Sequence, residues 1–178
     1  MKILVSASSK HGATMEIARA IGDELTRFGH QTTVVPPEDV EETSGFEAAV
    51  IGSGVYAGHW LPGARELVEK NAAELAVVPV WLFSSGPVGD PPKPEEEPVD
   101  VVGLSTMVEA VEHRVFAGLI NLGKLGFAER AIVKALRAPV GDYRDWDAIA
   151  AWAGEIASSL GSPSPAAAGE VMVESPSD

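Results

Sequence analysis

The chain of 178 residues contains no cysteine. That absence alone excludes disulfides, thiolate nucleophiles, iron–sulfur ligation and cysteine-bound zinc. Basic residues are scarce as well: 13 Lys and Arg stand against 26 Asp and Glu, a formal net charge of −13. Nucleic-acid binding draws its non-specific affinity from Lys and Arg neutralising phosphates, so this balance argues against a nucleic-acid partner. No apolar run reaches the roughly 18 residues that a membrane span requires. The opening Met1-Lys2-Ile3-Leu4-Val5-Ser6 is too short an apolar stretch for a secretory leader, and turn residues follow at once. A cytoplasmic protein is the default expectation. The four histidines, His11, His30, His59 and His113, have no partner at i+4, so their spacing gives no support for a metal site.

What is present is enough apolar material for a core: 46% hydrophobic residues against 22% charged, ordinary globular usage. Ile3 to Val5 is a short apolar run that breaks into a polar loop ending at Gly12. Ile17, Ala18, Ile21, Leu25 and Phe28 then recur at helical spacing, and Gly29 stops them. Thr32 to Val35, Ala48 to Ile51 and Val77 to Phe83 read as further strands, with a helix opened by Pro62 between the last two. Residues 84–103, with five prolines, read as one long loop. Val111 to Gly118 supplies a fifth strand, residues 119–137 a helical pattern, and Asp145 caps a final helix over Trp146 to Leu160. Apolar strands alternating with helices predict a parallel sheet covered on both faces, an α/β doubly wound architecture. Residues 1–161 form one domain; residues 162–178, with four Ser, three Pro, three acids and no base, read as a disordered tail.

In such a sheet the ligand site lies beyond the carboxyl ends of the strands. The first of those loops, Ser8-Ser9-Lys10-His11-Gly12-Ala13-Thr14, joins hydroxyls, a glycine and a helix N-terminus, which together suit a phosphate. A good turn and cap is the plainer alternative, and the loop alone leaves both open. The loop lacks G-x-x-x-x-G-K-[ST] and G-x-G-x-x-G, which counts against ATP and NAD. Gly52, Gly54 and Gly58 would let backbone approach a flat ligand, and Tyr56 and Trp60 could stack on it.

Ser9-Lys-His-Gly-Ala-Thr14 resembles the flavodoxin phosphate loop, usually T-x-T-G-x-T, keeping its glycine and closing threonine. The further stretches Gly52-Ser-Gly-Val-Tyr-Ala-Gly-His-Trp60, Phe83-Ser-Ser-Gly-Pro87, Phe116-Ala-Gly118 and Tyr143-Arg-Asp-Trp146 resemble, in order and spacing, the menaquinone-dependent protoporphyrinogen dehydrogenases and related flavodoxin-domain proteins. The resemblance spans residues 1 to about 160. It implies a flavodoxin-like three-layer α/β/α sandwich with a five-stranded parallel sheet in the order 2-1-3-4-5, and noncovalent FMN. The phosphate would sit on Ser9, Lys10, His11, Gly12, Ala13 and Thr14. The ring would lie between Val55, Tyr56, Ala57 and Trp60 on one side and Ser84, Ser85, Gly86 and Gly89 on the other.

Residues 84–90 hold no aromatic side chain to cover the ring, which leaves one face for a substrate. This favours an FMN-dependent oxidoreductase taking hydride from a flat donor and reoxidised by a quinone. The resemblance implies protoporphyrinogen oxidation in haem biosynthesis. The alternatives are a flavodoxin-type electron carrier docking on redox proteins, or a flavin-binding module without catalysis. No general base stands out; His59, beside the expected ring site, is the candidate for touching substrate. Residues 119–137 carry four basic residues and the single acid Glu129, a composition suited to peripheral contact with the inner face of a membrane. The preferred, plainer reading is a sheet-covering helix with solvated charges.

Overall fold

The computed structural model describes residues 1–86, 88, 97–135 and 137–161. Strand β1 (Lys2–Ser8) leads into helix α1 (Ala13–Arg27), β2 (Gln31–Val35) and β3 (Ala48–Tyr56). A two-residue strand β4 (His59–Trp60), helices α2 (Pro62–Lys70) and α3 (Ala72–Leu75), then β5 (Val80–Ser85) follow. The remainder is α4 (Val101–Met107), β6 (Glu112–Phe116), β7 (Leu119–Ile120), α5 (Phe127–Ala135), β8 (Gly141–Asp142) and α6 (Trp146–Leu160).

The main sheet runs β2-β1-β3-β5-β6 with every one of those neighbours parallel. Numbering the parallel strands alone, this is the expected order 2-1-3-4-5. Crossovers put α1 and α6 on one face and α2 and α4 on the other, so the strands at the centre are buried on both sides. On the first face Ile17, Ile21 and Leu25 of α1 and Ile149, Trp152 and Ile156 of α6 pack on Ile3, Val5 and Phe83. Phe83, Phe116 and Trp152 meet there edge to face, with centroids 5.5–6.2 Å apart, the arrangement that ring quadrupoles favour. On the second face Leu4, Ala49, Ile51 and Leu82 meet Trp60, Leu67, Val68 and Leu104.

Three expectations are corrected. The third strand runs on from Ile51 to Tyr56, because Gly52 and Ser53 still pair with β1 and β5 on either side and Gly54 with β5. Within the expected loop 84–103 lies the start of α4, a segment of weak helix propensity (Val-Val-Gly-Leu-Ser-Thr-Met) that is anchored by burying Val101 and Leu104. The single helix expected over 119–137 is instead β7, a 3₁₀ turn at Leu122–Lys124 and the short α5. Moreover, α5 buries none of its residues, so it does not cover the sheet. Gly89, Leu136, the proline-rich stretch 89–96 and the tail 162–178 lie outside the described residues.

Candidate functional site

Four chain segments close a cavity of about 510 Å³ at the carboxyl end of the sheet. Ser9, Lys10, His11, Ala13 and Thr14 form one wall, Gly54, Val55, Tyr56 and Ala57 a second, and Ser85 with Gly86 the floor. The last wall is apolar: Leu119 and Ile120 of β7, Leu125, and Ile132 and Val133 of α5, with Glu129 among them.

The first wall is a strand-to-helix turn. Gly12, at φ 92°, turns the chain from β1 into α1, a left-handed conformation that glycine adopts without a Cβ penalty. Thr14 N–H donates to Ser9 Oγ at 3.2 Å. The N–H groups of His11, Gly12 and Ala13 have no acceptor among the described residues, and they stand at the positive end of a 15-residue helix. The side chains above them are already engaged. Lys10 Nζ lies 2.5 Å and His11 Nε2 3.0 Å from Glu129 Oε1, and Lys124 Nζ donates to the His11 carbonyl at 3.4 Å. Lys10, together with the Gly126 N–H and His11, holds the Glu129 carboxyl down at about 2, so Glu129 is ionised throughout the physiological range.

The second wall is a hairpin tip. Ala57 and Gly58 both have positive φ, 50° and 80°, between the antiparallel pairs Tyr56–His59 and Val55–Trp60, the two-residue turn that matches strand twist. Lys10 Nζ sits 5.5 Å from the centroid of the Tyr56 ring. Burial first, and Glu129 second, push the Tyr56 hydroxyl up, so it keeps its proton at the rim. The floor and the last wall are in backbone contact: a Cβ on Gly118 would lie 3.1 Å from Gly86 Cα, and one on Gly86 3.2 Å from Val55 Cβ. Arg144, nearly buried, ties this wall to the first. Its guanidinium donates to the Ala13 carbonyl, to Glu16 and to Asp142 at 3.1, 2.7 and 2.7 Å, while Tyr143 N–H donates to the Gly118 carbonyl.

Of the residues expected at the site, Ser9, Lys10, His11, Ala13, Thr14, Val55, Tyr56, Ala57, Ser85 and Gly86 come together on this cavity, with Gly12 at the turn behind it. Trp60 and Ser84 do not. Trp60 is 1% exposed in the second core, where its Nε1–H donates to Ser84 Oγ at 2.7 Å. Strand alternation is the reason for Ser84, which points to the opposite face of β5 from Ser85; Trp60 belongs to the second core with Leu4, Ile51 and Leu82. The role expected of the glycines narrows too. Gly54 lines the cavity, but Gly58 serves the turn, and Gly52 makes room for Phe83, whose ring a Cβ would meet at 2.2 Å. His59 is not among the lining residues; it pairs with Asp100, Nδ1 to Oδ2 3.2 Å, and Asp100 also accepts the Trp60 N–H at 2.9 Å.

Ser84 Oγ, His113 Nε2 and Glu97 lie in the order of a nucleophile, base and orienting acid, at 2.8 and 3.2 Å. Ser84 is 0% exposed and its oxygen already accepts from Trp60, so no carbonyl can reach it; the relay braces β5 against β6. Residues that sequence reasoning missed are Glu129 and the apolar set on 119–133. Their signal was the amphipathic segment itself, whose apolar face was assigned to the sheet.

The comparisons with known proteins agree with this geometry. The model of the flavodoxin domain family matches residues 4–147. Protoporphyrinogen IX dehydrogenase (quinone) of Escherichia coli strain K12 is 26% identical over 172 residues, covering 88% of this chain and 95% of its own. Among solved structures, a flavodoxin from the domain Archaea superposes with a TM-score of 0.62 at 18% identity, covering 90% of this chain and 99% of that one. A point mutant of flavodoxin from Pseudomonas aeruginosa gives 0.58 at 16% identity with the same coverage. Both share this fold.

Proposed function

The chain belongs to the flavodoxin domain family, and from that membership we propose that it is an FMN-dependent oxidoreductase which takes two electrons from a flat organic donor and passes them to a quinone. The observation that carries the reading is the make-up of the cavity, with an anion-binding loop at one end and an apolar wall at the other. A phosphate has three N–H groups to meet at His11, Gly12 and Ala13, unclaimed among the described residues, and Ser9 and Thr14 hydroxyls beside them. A ring system has the segments at Gly54, Gly86 and Gly118 along the cavity to lie against.

When bound, FMN supplies the redox chemistry. The work of this chain's own residues is to bind, orient and dry the site. Leu119, Ile120, Ile132 and Val133 exclude water from one side of the cavity, and the Tyr56 hydroxyl offers a proton-bearing donor at its rim. The donor is proposed to be protoporphyrinogen, and the acceptor a quinone, after the name of the 26% identical relative. Approach to a quinone in a membrane is supported by α5, where Phe127 is 92% exposed beside the basic Arg130 and Lys134. An FMN-loaded protein mixed anaerobically with protoporphyrinogen IX and a menaquinone analogue is expected to generate porphyrin fluorescence faster than a protein-free control. A rate equal to that control contradicts the substrate assignment and leaves the electron-carrier reading.

A further inference from the structure

The acid that closes on the anion loop is the feature with the least obvious use. Glu129 lies in α5, a helix that buries none of its residues, yet its carboxylate reaches across to Lys10 at 2.5 Å and His11 at 3.0 Å. Its other oxygen accepts the Gly126 N–H at 2.8 Å. These partners sit on the same loop as the free N–H groups of His11, Gly12 and Ala13. Three further charges face that loop: Lys124, whose Nζ is 4.0 Å from where a Gly12 Cβ would stand; Arg144, whose guanidinium donates to the Ala13 carbonyl at 3.1 Å; and Glu16, which lies 3.8 Å from Lys124 and pairs with Arg144. Lys10 and His11 are therefore the groups for which a ligand phosphate and Glu129 compete.

We propose that Glu129 sets how strongly the site prefers a phosphorylated ligand over the same ligand without its phosphate, by holding as a carboxylate the Lys10 and His11 groups that the phosphate would engage. The inference rests on the flavin reading of the cavity. A dianion arriving at the loop either takes Lys10 from Glu129, leaving that carboxylate facing it, or leaves the pair intact and forgoes the ammonium. Both routes cost affinity. A ligand of the same ring and chain with a terminal hydroxyl in place of the phosphate meets neither cost. Glu129 thus moderates the affinity that the loop would otherwise have for the phosphate and makes α5 responsive to its arrival.

The test is titration of the wild type and Glu129→Gln with FMN and with riboflavin, followed by flavin fluorescence. Glutamine keeps the shape and an acceptor oxygen for the Gly126 N–H while removing the charge. The proposal expects roughly tenfold tighter FMN binding and riboflavin affinity within twofold of wild type. If Glu129 is only a tether that keeps α5 closed, both flavins weaken together; that result, or unchanged FMN affinity, overturns the proposal. Far-ultraviolet circular dichroism confirms that the variant is folded. If folded wild-type protein binds neither flavin, the flavin reading fails and the inference falls with it.

Discussion

At the scale of single residues, steric room decides what each position can be. Gly52 is fixed by the Phe83 ring, which a Cβ would meet at 2.2 Å, inside a core packed on both sides. Gly52→Ala is therefore expected to destabilise the fold by about 1–3 kcal/mol, read as a lower urea midpoint with unchanged slope; a midpoint equal to wild type would show that the ring can move aside. The same steric reading separates the residues that sequence alone could place from those it could not. The place of the loop from Ser9 to Thr14 on the cavity was legible because its hydroxyls, glycine and position after a strand mark a strand-to-helix turn locally. Trp60 was not, because the hairpin register that places it opposite Val55 and turns its ring into the second core is fixed only by the fold. Glu129 was invisible for another reason: its partners are 118 and 119 residues away in the chain, and no local pattern marks such a pair.

At the scale of elements, the long amphipathic helices and the buried strands read correctly from periodicity, since their apolar stripes are long enough to fix both type and face. Asp145 illustrates it: its side chain accepts the Ala148 N–H at 2.9 Å and caps α6. Asp145→Ala should cost about 1 kcal/mol of stability, measurable by denaturant unfolding, with Asp145→Asn retaining most of it. No loss in the alanine variant would mean that tertiary packing alone fixes the start of α6. The short elements escaped. α4 has poor intrinsic propensity and is held by Val101 and Leu104, while the stretch 119–126 carries an apolar spacing that Gly123 and Gly126 divide into a strand, a turn and a helix start. Helix α5 then uses its apolar residues on the cavity rather than on the sheet, an arrangement that only the tertiary structure specifies.

At the scale of the whole molecule, the net charge of −13 is unevenly spread. Residues 37–47 carry −5, residues 90–100 carry −4 and the tail −3, so the remainder, including the cavity, is nearly neutral. Stability against pH follows from two buried histidines. Burial holds His113 below its ordinary value of 6.5 although Glu97 pulls it up, and burial together with the N-terminal charge lowers His30. The unfolded chain therefore gains protons before the folded one does, and stability that is complete above about pH 6.5 is lost as pH falls below it. Hydrogen bonds from Arg144 lower the Asp142 carboxyl; burial raises Asp100, but the Trp60 N–H, His59 and Arg65 outweigh it. Both add a further loss below about pH 4. Urea midpoints are expected to be lower at pH 5.5 than at pH 7.5; equal midpoints would contradict the account of the histidines.

The most direct test of the central claim, that this cavity holds FMN by its phosphate on the loop from Ser9 to Thr14, is a fluorescence titration of FMN with wild-type protein and with Thr14→Asp. The account predicts saturable quenching at one FMN per wild-type chain. It predicts none for the variant, whose new carboxylate, at a position 5% exposed in the first turn of α1, faces the phosphate. Flavin fluorescence unchanged by the wild type, or equal affinity in the variant, would contradict it.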